Sequence, residues 1–140
     1  MSSEAVRAAF RTRVATLLEP QFTWQESVNI ASESKTLPMR WYTLDFIVAD
    51  IQRIALGRPS LMRESGSVRV MIYTEQQIGD TPASAAAFTI FNALCNWSEL
   101  GGHLRVMDAA PPNDMDGGDI RGAWYAQSVD TRYQYDSFVT

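Results

Sequence analysis

The feature that most constrains the fold is an alternation of side chains over residues 41–48. These residues lie within the stretch RWYTLDFIV, which covers residues 40–48. One face of this stretch carries only apolar side chains, Tyr42, Leu44, Phe46 and Val48. A period of two residues predicts a β-strand with one face against a core. The other face carries Trp41 and Ile47, which makes it too apolar for simple exposure to water. The strand therefore belongs in a sheet that is covered on more than its core side.

Other segments repeat this pattern. Residues 67–73 predict a strand with Val68, Val70 and Ile72 inward, and residues 103–108 and 120–135 predict two more. The acidic turn between the last two strands is short enough for a hairpin, so they should pair antiparallel. Residues 51–56 fit either a separate strand or the continuation of a long hairpin with its bend at 57–59.

Two segments instead have helical spacing. Residues 3–19 place apolar side chains three and four positions apart, and Pro20 ends the pattern. Residues 82–98 begin with Pro82 after a capping Thr81 and are followed by Gly101-Gly102. The expected buried stripe of this second helix is Ala83, Ala86, Ala87, Ile90, Phe91, Leu94 and Trp97.

The order is thus helix, two or three strands, helix, two strands. We predict an α+β domain with a mostly antiparallel four- to five-stranded sheet and two helices packed on one face. The 140 residues are enough for one core, so residues 1–140 are expected to form a single domain.

Composition narrows the class of protein. A net charge of -4 argues against a general nucleic-acid binder that works by neutralising phosphates. Cys95 is the one cysteine, so no intramolecular disulfide is possible. The start of the chain lacks the apolar segment of a signal peptide, and no run approaches the ~20 apolar residues of a membrane helix. These features predict a soluble protein made in a reducing cytoplasm, with no membrane partner.

Catalytic and metal-binding patterns are weak. A Cys95–His103 dyad is conceivable, but a packed thiol and a surface imidazole is the simpler interpretation. The acidic run Asp114, Asp116 and Asp119 resembles part of a calcium loop, yet the position that needs a bidentate Glu is Tyr125. Gly-rich phosphate motifs are missing as well. We therefore predict no catalytic residue, no cofactor and no metal, and a protein that is not an enzyme.

Aromatic and arginine side chains crowd the faces opposite the core. If the strands alternate as predicted, several large side chains point away from the helices. They are Trp41, Tyr73, Trp124 and Arg132. Either a second layer of the same domain or another subunit could cover them. Arg58, Arg63 and Glu64, in the predicted loop 49–66, are further candidates for inter-subunit contacts, the alternative being solvated loop charges. The chain has eleven Arg and one Lys, a bias that a GC-rich genome also produces.

The whole succession is similar to a known family. An Arg-backed helix and a polar loop lead to a strand that opens at Arg40-Trp41. A step from Arg63 to Gly66 enters the strand 68–73, and Gly79 precedes a small-residue helix. A closing strand carries Trp124 and Tyr135. This order of helices, loops and strands resembles that of the tail-terminator, or tail-completion, proteins of long-tailed bacteriophages and of gene transfer agents.

The resemblance implies a structural virion protein that assembles as a hexameric ring. Such a ring caps the tail tube, stops tube polymerisation and joins the tail to the head connector. Its partners would be its own copies, the tube protein and the connector, with DNA only as passing cargo. The alternatives are a head–tail joining or minor tail protein of a phage-like particle, and a small ligand-binding domain.

Overall fold

The computed structural model describes residues 4–19, 21–24, 40–55, 60–75, 81–116 and 124–139. These ranges contain two helices and seven strands. The helices are α1 (Glu4–Leu18) and α2 (Thr81–Leu94), and the strands are β1 (Thr23–Trp24), β2 (Arg40–Ala55), β3 (Ser60–Glu75), β4 (Ser98–Glu99), β5 (Leu104–Ala109), β6 (Asn113–Asp116) and β7 (Trp124–Val139).

The strands form one sheet in the order β1-β2-β3-β7-β5-β4, with β6 paired to β7. All pairs are antiparallel except β1 with β2. The predicted α+β class, the two helices and the antiparallel pairing of the last two predicted strands are confirmed. The predicted count of four to five strands is wrong, because β1, β4 and β6 are only two to four residues long and too short to show a period. β6 lies inside the segment predicted as an acidic turn.

Three long strands dominate the sheet. β2, β3 and β7 have 16 residues each, and β3 pairs with both neighbours along its length. The two predicted segments 41–48 and 51–56 therefore belong to one strand, which ends at Ala55 and pairs with β3, while the predicted bend at 57–59 lies outside the described residues. Register shifts interrupt β2 between Val48 and Asp50 and between Arg53 and Ala55. Most of the predicted loop 49–66 is strand.

Both helices pack on the same face of the sheet, as predicted. α1 buries Val6, Phe10, Val14 and Leu18. These residues share one core with residues of α2 and with the inward residues of the strands, Tyr42, Leu44, Val68, Val70, Ile72, Leu104, Val106, Val129 and Tyr133. The predicted inward phases of β2, β3 and β7 are thereby confirmed. No helix among the described residues combines the length and apolarity needed to cross a membrane.

The end of α2 differs from the prediction. The helix stops at Leu94, and Asn96 adopts a left-handed conformation with a φ of 59°. Asparagine tolerates this conformation and commonly ends helices in this way. Trp97 still enters the core, but from the segment after the helix. The Gly101-Gly102 pair, predicted to end α2, belongs to the following turn.

Candidate assembly surfaces

The hairpin end of β2 and β3 reaches beyond the helices. We call it the hairpin arm: Asp50–Ala55 of β2 paired with Ser60–Ser65 of β3, which in turn pairs with the last part of β7. Four successive β2 residues from Ile51 to Ile54 are exposed, on both faces of the strand. Ile51 and Ile54 are 54% and 43% exposed, and Ile47 just before the arm is 60% exposed. Three isoleucines on one strand are thus left largely in water.

Among the described residues, the same strand is an edge of the sheet over most of its length. β1 pairs with β2 only at Trp41 and Tyr42. From Thr43 to Ala55, β2 has a described neighbour on the β3 side alone. An edge strand with exposed apolar side chains is a natural place for another chain to bind, and bulges like those of β2 limit how long a pairing chain can follow it.

An ion-pair cluster ties the arm to the rest of the sheet. Arg63 donates two hydrogen bonds to Asp136, at 2.8 and 3.2 Å, and Arg105 donates a third at 3.1 Å. These contacts join β3, β7 and β5. The hydrogen bond from Arg63 holds the pKa of the Asp136 carboxyl below its ordinary value, with Arg105 adding to the effect and partial burial opposing it. The same hydrogen bond raises the pKa of Arg63.

Glu64, which was predicted as a surface candidate, is inside the fold. Its side chain is buried and accepts a hydrogen bond of 2.6 Å from the Tyr133 hydroxyl. Neighbouring Gly66 explains this crowding, because a Cβ there would lie 2.5 Å from the Ile47 carbonyl oxygen and 2.8 Å from the Tyr133 hydroxyl. The step from Arg63 to Gly66 is therefore a packing feature, where a strand passes too close to its neighbours for any side chain. Glu64 is corrected from a surface residue to a buried one.

Trp41 and Tyr73 lie on the face opposite the helices, as predicted, but they are not exposed. Trp41 is 0% and Tyr73 is 9% exposed. They are cross-strand partners whose rings stack at 3.8 Å with an angle of 10°. Burial raises the pKa of Tyr73, with Asp45 contributing. They are thus buried within their own chain, and their predicted role at a subunit interface stays a prediction.

The remaining candidate interface residues differ in how much of each the structure describes. Arg132 lies on the surface and pairs with Asp108 at 3.2 Å, with exposed fractions of 74% and 61%. Trp124 opens β7 and is the register partner of Glu75, and its side chain lies outside the described part of the structure. Arg58 lies outside the described residues altogether. Only Arg63, half-exposed, and Arg132 remain as described, accessible candidates.

An apolar groove of about 420 Å³ runs between α1 and the segment that follows α2. The residues that line it on α1 are Ala5, Ala8, Ala9, Thr12, Arg13 and Thr16, and those on the other side are Trp97, Glu99 and Leu100. Trp97 is only 8% exposed and the Arg13 guanidinium lies 5.9 Å from its ring centroid, so Leu100 is the exposed large apolar side chain of the groove. No sequence pattern pointed to this groove, since its two walls are about ninety residues apart in the chain.

Leu100 is unusual in two ways. It is 40% exposed, and its φ of 57° lies in the left-handed region. Glycine or asparagine adopts this conformation at lower cost than leucine. An exposed, strained leucine on the rim of a groove contributes little to the stability of its own chain, and such outliers are a reason to look for function.

A second groove, of about 360 Å³, lies on the other flank of α1 against Trp24 and Tyr42. The Arg11 guanidinium stacks over the Trp24 ring at 3.9 Å. Burial raises the pKa of Tyr42 to about 12, Glu19 adds to the rise and Arg11 opposes it. The aromatic face is thus already occupied by Arg11, which leaves little room for a ligand to stack.

The residues considered for chemistry belong to different parts of the fold. Among the described residues, no three His, Cys, Asp or Glu side chains come together as a metal site requires. Cys95 is half-buried after α2, and His103 is exposed. The backbones of Asp114 and Asp116 form β6, while Asp119 lies outside the described residues. The features that distinguish the described surface are the exposed arm and the apolar groove.

Comparisons with known proteins address the fold. No protein-family model matches the chain, and no curated protein matches it. A solved structure of a protein designated only by a sequence number aligns with 100% of this chain and 99% of its own, with a TM-score of 0.60 and 19% identity. At this identity the likeness shows that the α+β fold is shared over the full length, and nothing about function follows from it.

Proposed function

We propose that this chain is a structural virion protein of a phage-like tail. Copies of it form a hexameric ring that caps the tail tube, ends tube polymerisation and joins the tail to the head connector. The protein is made in the cytoplasm of the bacterial host and works at the head–tail interface of the particle. It acts by contact alone, and DNA passes it as cargo.

The observation that carries this proposal is the hairpin arm with its exposed isoleucines. A chain that works alone in water gains nothing from leaving Ile47, just before the arm, and Ile51 and Ile54, within it, exposed on a strand with no described neighbour on one side, because such edges favour unwanted pairing. A chain that docks against neighbours uses both the apolar side chains and the free backbone groups of the edge. The resemblance of the sequence to tail-terminator proteins supplies the kind of neighbour.

Tube growth tests the proposal directly. The tube protein encoded in the same genome is polymerised with and without this chain, and tube lengths are measured by negative-stain electron microscopy. We expect added protein to shorten the tubes and to appear as a ring of density at one end. Tubes of unchanged length with bare ends, at a large excess of the protein, would rule the terminator role out.

A matched variant makes the result specific. Ile51→Asp places a charge on the arm at a position that is exposed in the free chain, so folding should be retained while capping is lost. Gln52→Asp, the adjacent exposed position, controls for added charge. Equal capping by the wild type and Ile51→Asp would remove the arm from the proposed function.

A further inference from the structure

The junction between the hairpin arm and the helix-covered part of the sheet lies at Gly66. Val48 of β2 is its register partner, and the next pair toward the arm is Asp50 with Ser65, so a register shift at Ala49 interrupts β2 at this point. β3 and β7 pair through the junction without a shift. A bulge bends and twists the strand that carries it. The direction in which the arm leaves the sheet is therefore set at this junction.

Tyr133 crosses the junction on the helix side of the sheet. It is the register partner of Gly66, and a Cβ at Gly66 would lie 3.0 Å from the Tyr133 Cε1 atom and 2.8 Å from its hydroxyl oxygen. The missing side chain therefore makes room for the tyrosine ring over β3. The ring is anchored in the core, where its centroid lies 5.7 Å from that of Phe10. Its hydroxyl reaches Glu64, which belongs to the arm, and donates the hydrogen bond of 2.6 Å.

This hydrogen bond differs in direction from the ion pair on the arm. Arg63 and Asp136 are register partners, so their ion pair links two strands at one level of the sheet. Glu64 is the register partner of Tyr135, and Tyr133 lies two residues closer to the core. The bond from Tyr133 to Glu64 therefore runs along the strands, from the core to the arm. A contact in this direction opposes a change in the bend of the sheet.

We propose that Glu64 and Tyr133 are positioning residues, whose hydrogen bond holds the arm in one direction and so presents Ile51 for docking. The docking role of the arm rests on the proposed function. Ile51 is the register partner of Glu64, so the bond acts on the level of the arm that carries this exposed side chain. Both bonded residues are buried, Glu64 at 7% and Tyr133 at 1% exposure, and burial strengthens a hydrogen bond. A surface held in its docking geometry before contact loses less freedom on binding.

Tyr133→Phe tests the proposal, because it keeps the ring over Gly66 and removes the hydroxyl alone. Thr131→Val is the matched control. Thr131 is also buried on β7, and its hydroxyl donates a hydrogen bond of 3.2 Å to the carbonyl oxygen of Val68, which is its own register partner. Each substitution thus removes one buried hydroxyl group. Of the two, Tyr133→Phe is the one that removes a contact along the strands.

Amide hydrogen exchange of the free protein is the first measurement. The amides of Ser60–Ser65 report on the arm, and those of Val68–Ile72 are the internal reference that separates local opening from a loss of overall stability. We expect Tyr133→Phe to raise the ratio of arm exchange to core exchange about tenfold, the effect of losing one hydrogen bond to a carboxylate. Thr131→Val should leave this ratio unchanged. Glu64→Gln should do so too, because it keeps an oxygen that can accept the bond.

The tube assay is the second measurement. The quantity compared is the protein concentration that halves the mean tube length. Tyr133→Phe should require about tenfold more protein than the wild type, because the freedom of a loosened arm has to be lost on docking. Thr131→Val should match the wild type.

Three outcomes would overturn the proposal. They are an unchanged exchange ratio in Tyr133→Phe, an equal rise in Thr131→Val, and faster arm exchange together with full capping by Tyr133→Phe. The last would show that docking does not depend on how firmly the arm is held. If the wild type itself does not cap tubes, the proposed function fails, and the exchange ratio still decides whether this bond holds the arm.

Discussion

The helix-covered part of the sheet and the hairpin arm belong to the same three strands and yet differ in almost every respect. Under the helices, inward side chains such as Val68, Val70 and Ile72 are 0% exposed. In the arm, a few residues further along β2, Ile51 and Ile54 are about half exposed. The strands continue because their backbone pairing continues, while the apolar covering ends.

The comparison shows which part of the sheet has its apolar side chains covered by the same chain and which part leaves them exposed. The helix-covered part is held by apolar burial, which is the main source of stability in a domain of this size. The arm is held by backbone hydrogen bonds and by the cluster of Arg63, Asp136 and Arg105. Its exposed isoleucines gain burial only when another surface covers them. The following substitutions separate the two parts, beginning with the largest expected effect.

Phe10→Ala should cost the most, because Phe10 is 0% exposed at the centre of the helix-covered core. Its ring contacts those of Phe46, Trp97 and Tyr133, with centroid distances of 6.1, 5.1 and 5.7 Å. We expect a loss of about 3–5 kcal/mol in the free energy of unfolding, measured by urea denaturation.

Phe88→Ala is the matched control for this substitution. Phe88 is 52% exposed on α2, so the same change should cost less than about 1 kcal/mol. Similar losses for the two variants would show that the packing of the helices does not distinguish these positions, and the contrast between core and surface would fail.

Gly66→Ala probes the junction between the two parts. An added methyl group would meet the Ile47 carbonyl oxygen at 2.5 Å, and this backbone atom cannot move without shifting β2. We expect a loss of about 1–3 kcal/mol in urea denaturation, the usual cost of overpacking. The neighbouring Ser67→Ala serves as the control and should be nearly neutral. A Gly66→Ala variant as stable as the parent would mean that β2 adjusts freely and that the junction is soft.

The sequence predicted the helix-covered part well, and the reason is physical. Residues such as Val6, Phe10 and Val14 repeat with the period of their helix, and Val68, Val70 and Ile72 repeat with the period of a strand. Burial on one face imposes these periods. The pattern therefore records which side chains face the core, and the core is where the predictions were confirmed.

The candidate surfaces were harder to predict because no period records them. Trp41 and Tyr73 were predicted on the correct face of the sheet, but they are buried. The alternation of side chains shows which face a residue lies on, but it does not show what covers that face. Glu64 was assigned to a loop because a charged pair and a glycine are typical of loops. In the structure, Gly66 marks a close approach of strands instead. The groove joins α1 to Leu100, and such a distant pairing leaves no local signal in a single sequence.

Substitution of Asp136 tests how strongly the ion-pair cluster holds the arm to the rest of the sheet. Its pKa is lowered in the folded state by hydrogen bonding to Arg63 and Arg105. The stabilisation is therefore fully present above the unfolded-state pKa of about 3.9, and it is lost as the pH falls through the lower, folded-state value. Compared with Asp136→Asn, the wild type should be more stable at pH 7, and the difference should shrink as the pH falls below about 3.9.

The measurement is urea denaturation of both proteins across this pH range. Asp130→Asn is the control, since Asp130 pairs with Arg69 at a more exposed site, where both side chains are 46% exposed. Its effect on stability at neutral pH should be smaller than that of Asp136→Asn. A difference between the wild type and Asp136→Asn that does not shrink as the pH falls below about 3.9 would show that the carboxylate charge is not what joins the arm to β7 and β5.

Arg132→Ala should have the smallest effect on stability. Arg132 and Asp108 form an ion pair that is largely exposed, and such pairs contribute about 0–1 kcal/mol. Arg132 lies on the sheet face opposite the helices, whereas Ile51 of the arm is the register partner of the buried Glu64 and lies on the other face. The variant should therefore match the parent both in urea denaturation and in sedimentation at high concentration. If Arg132→Ala instead weakens self-association as much as Ile51→Asp does, the subunits meet through the face of the sheet opposite the helices, and Ile51 is left for a different neighbour.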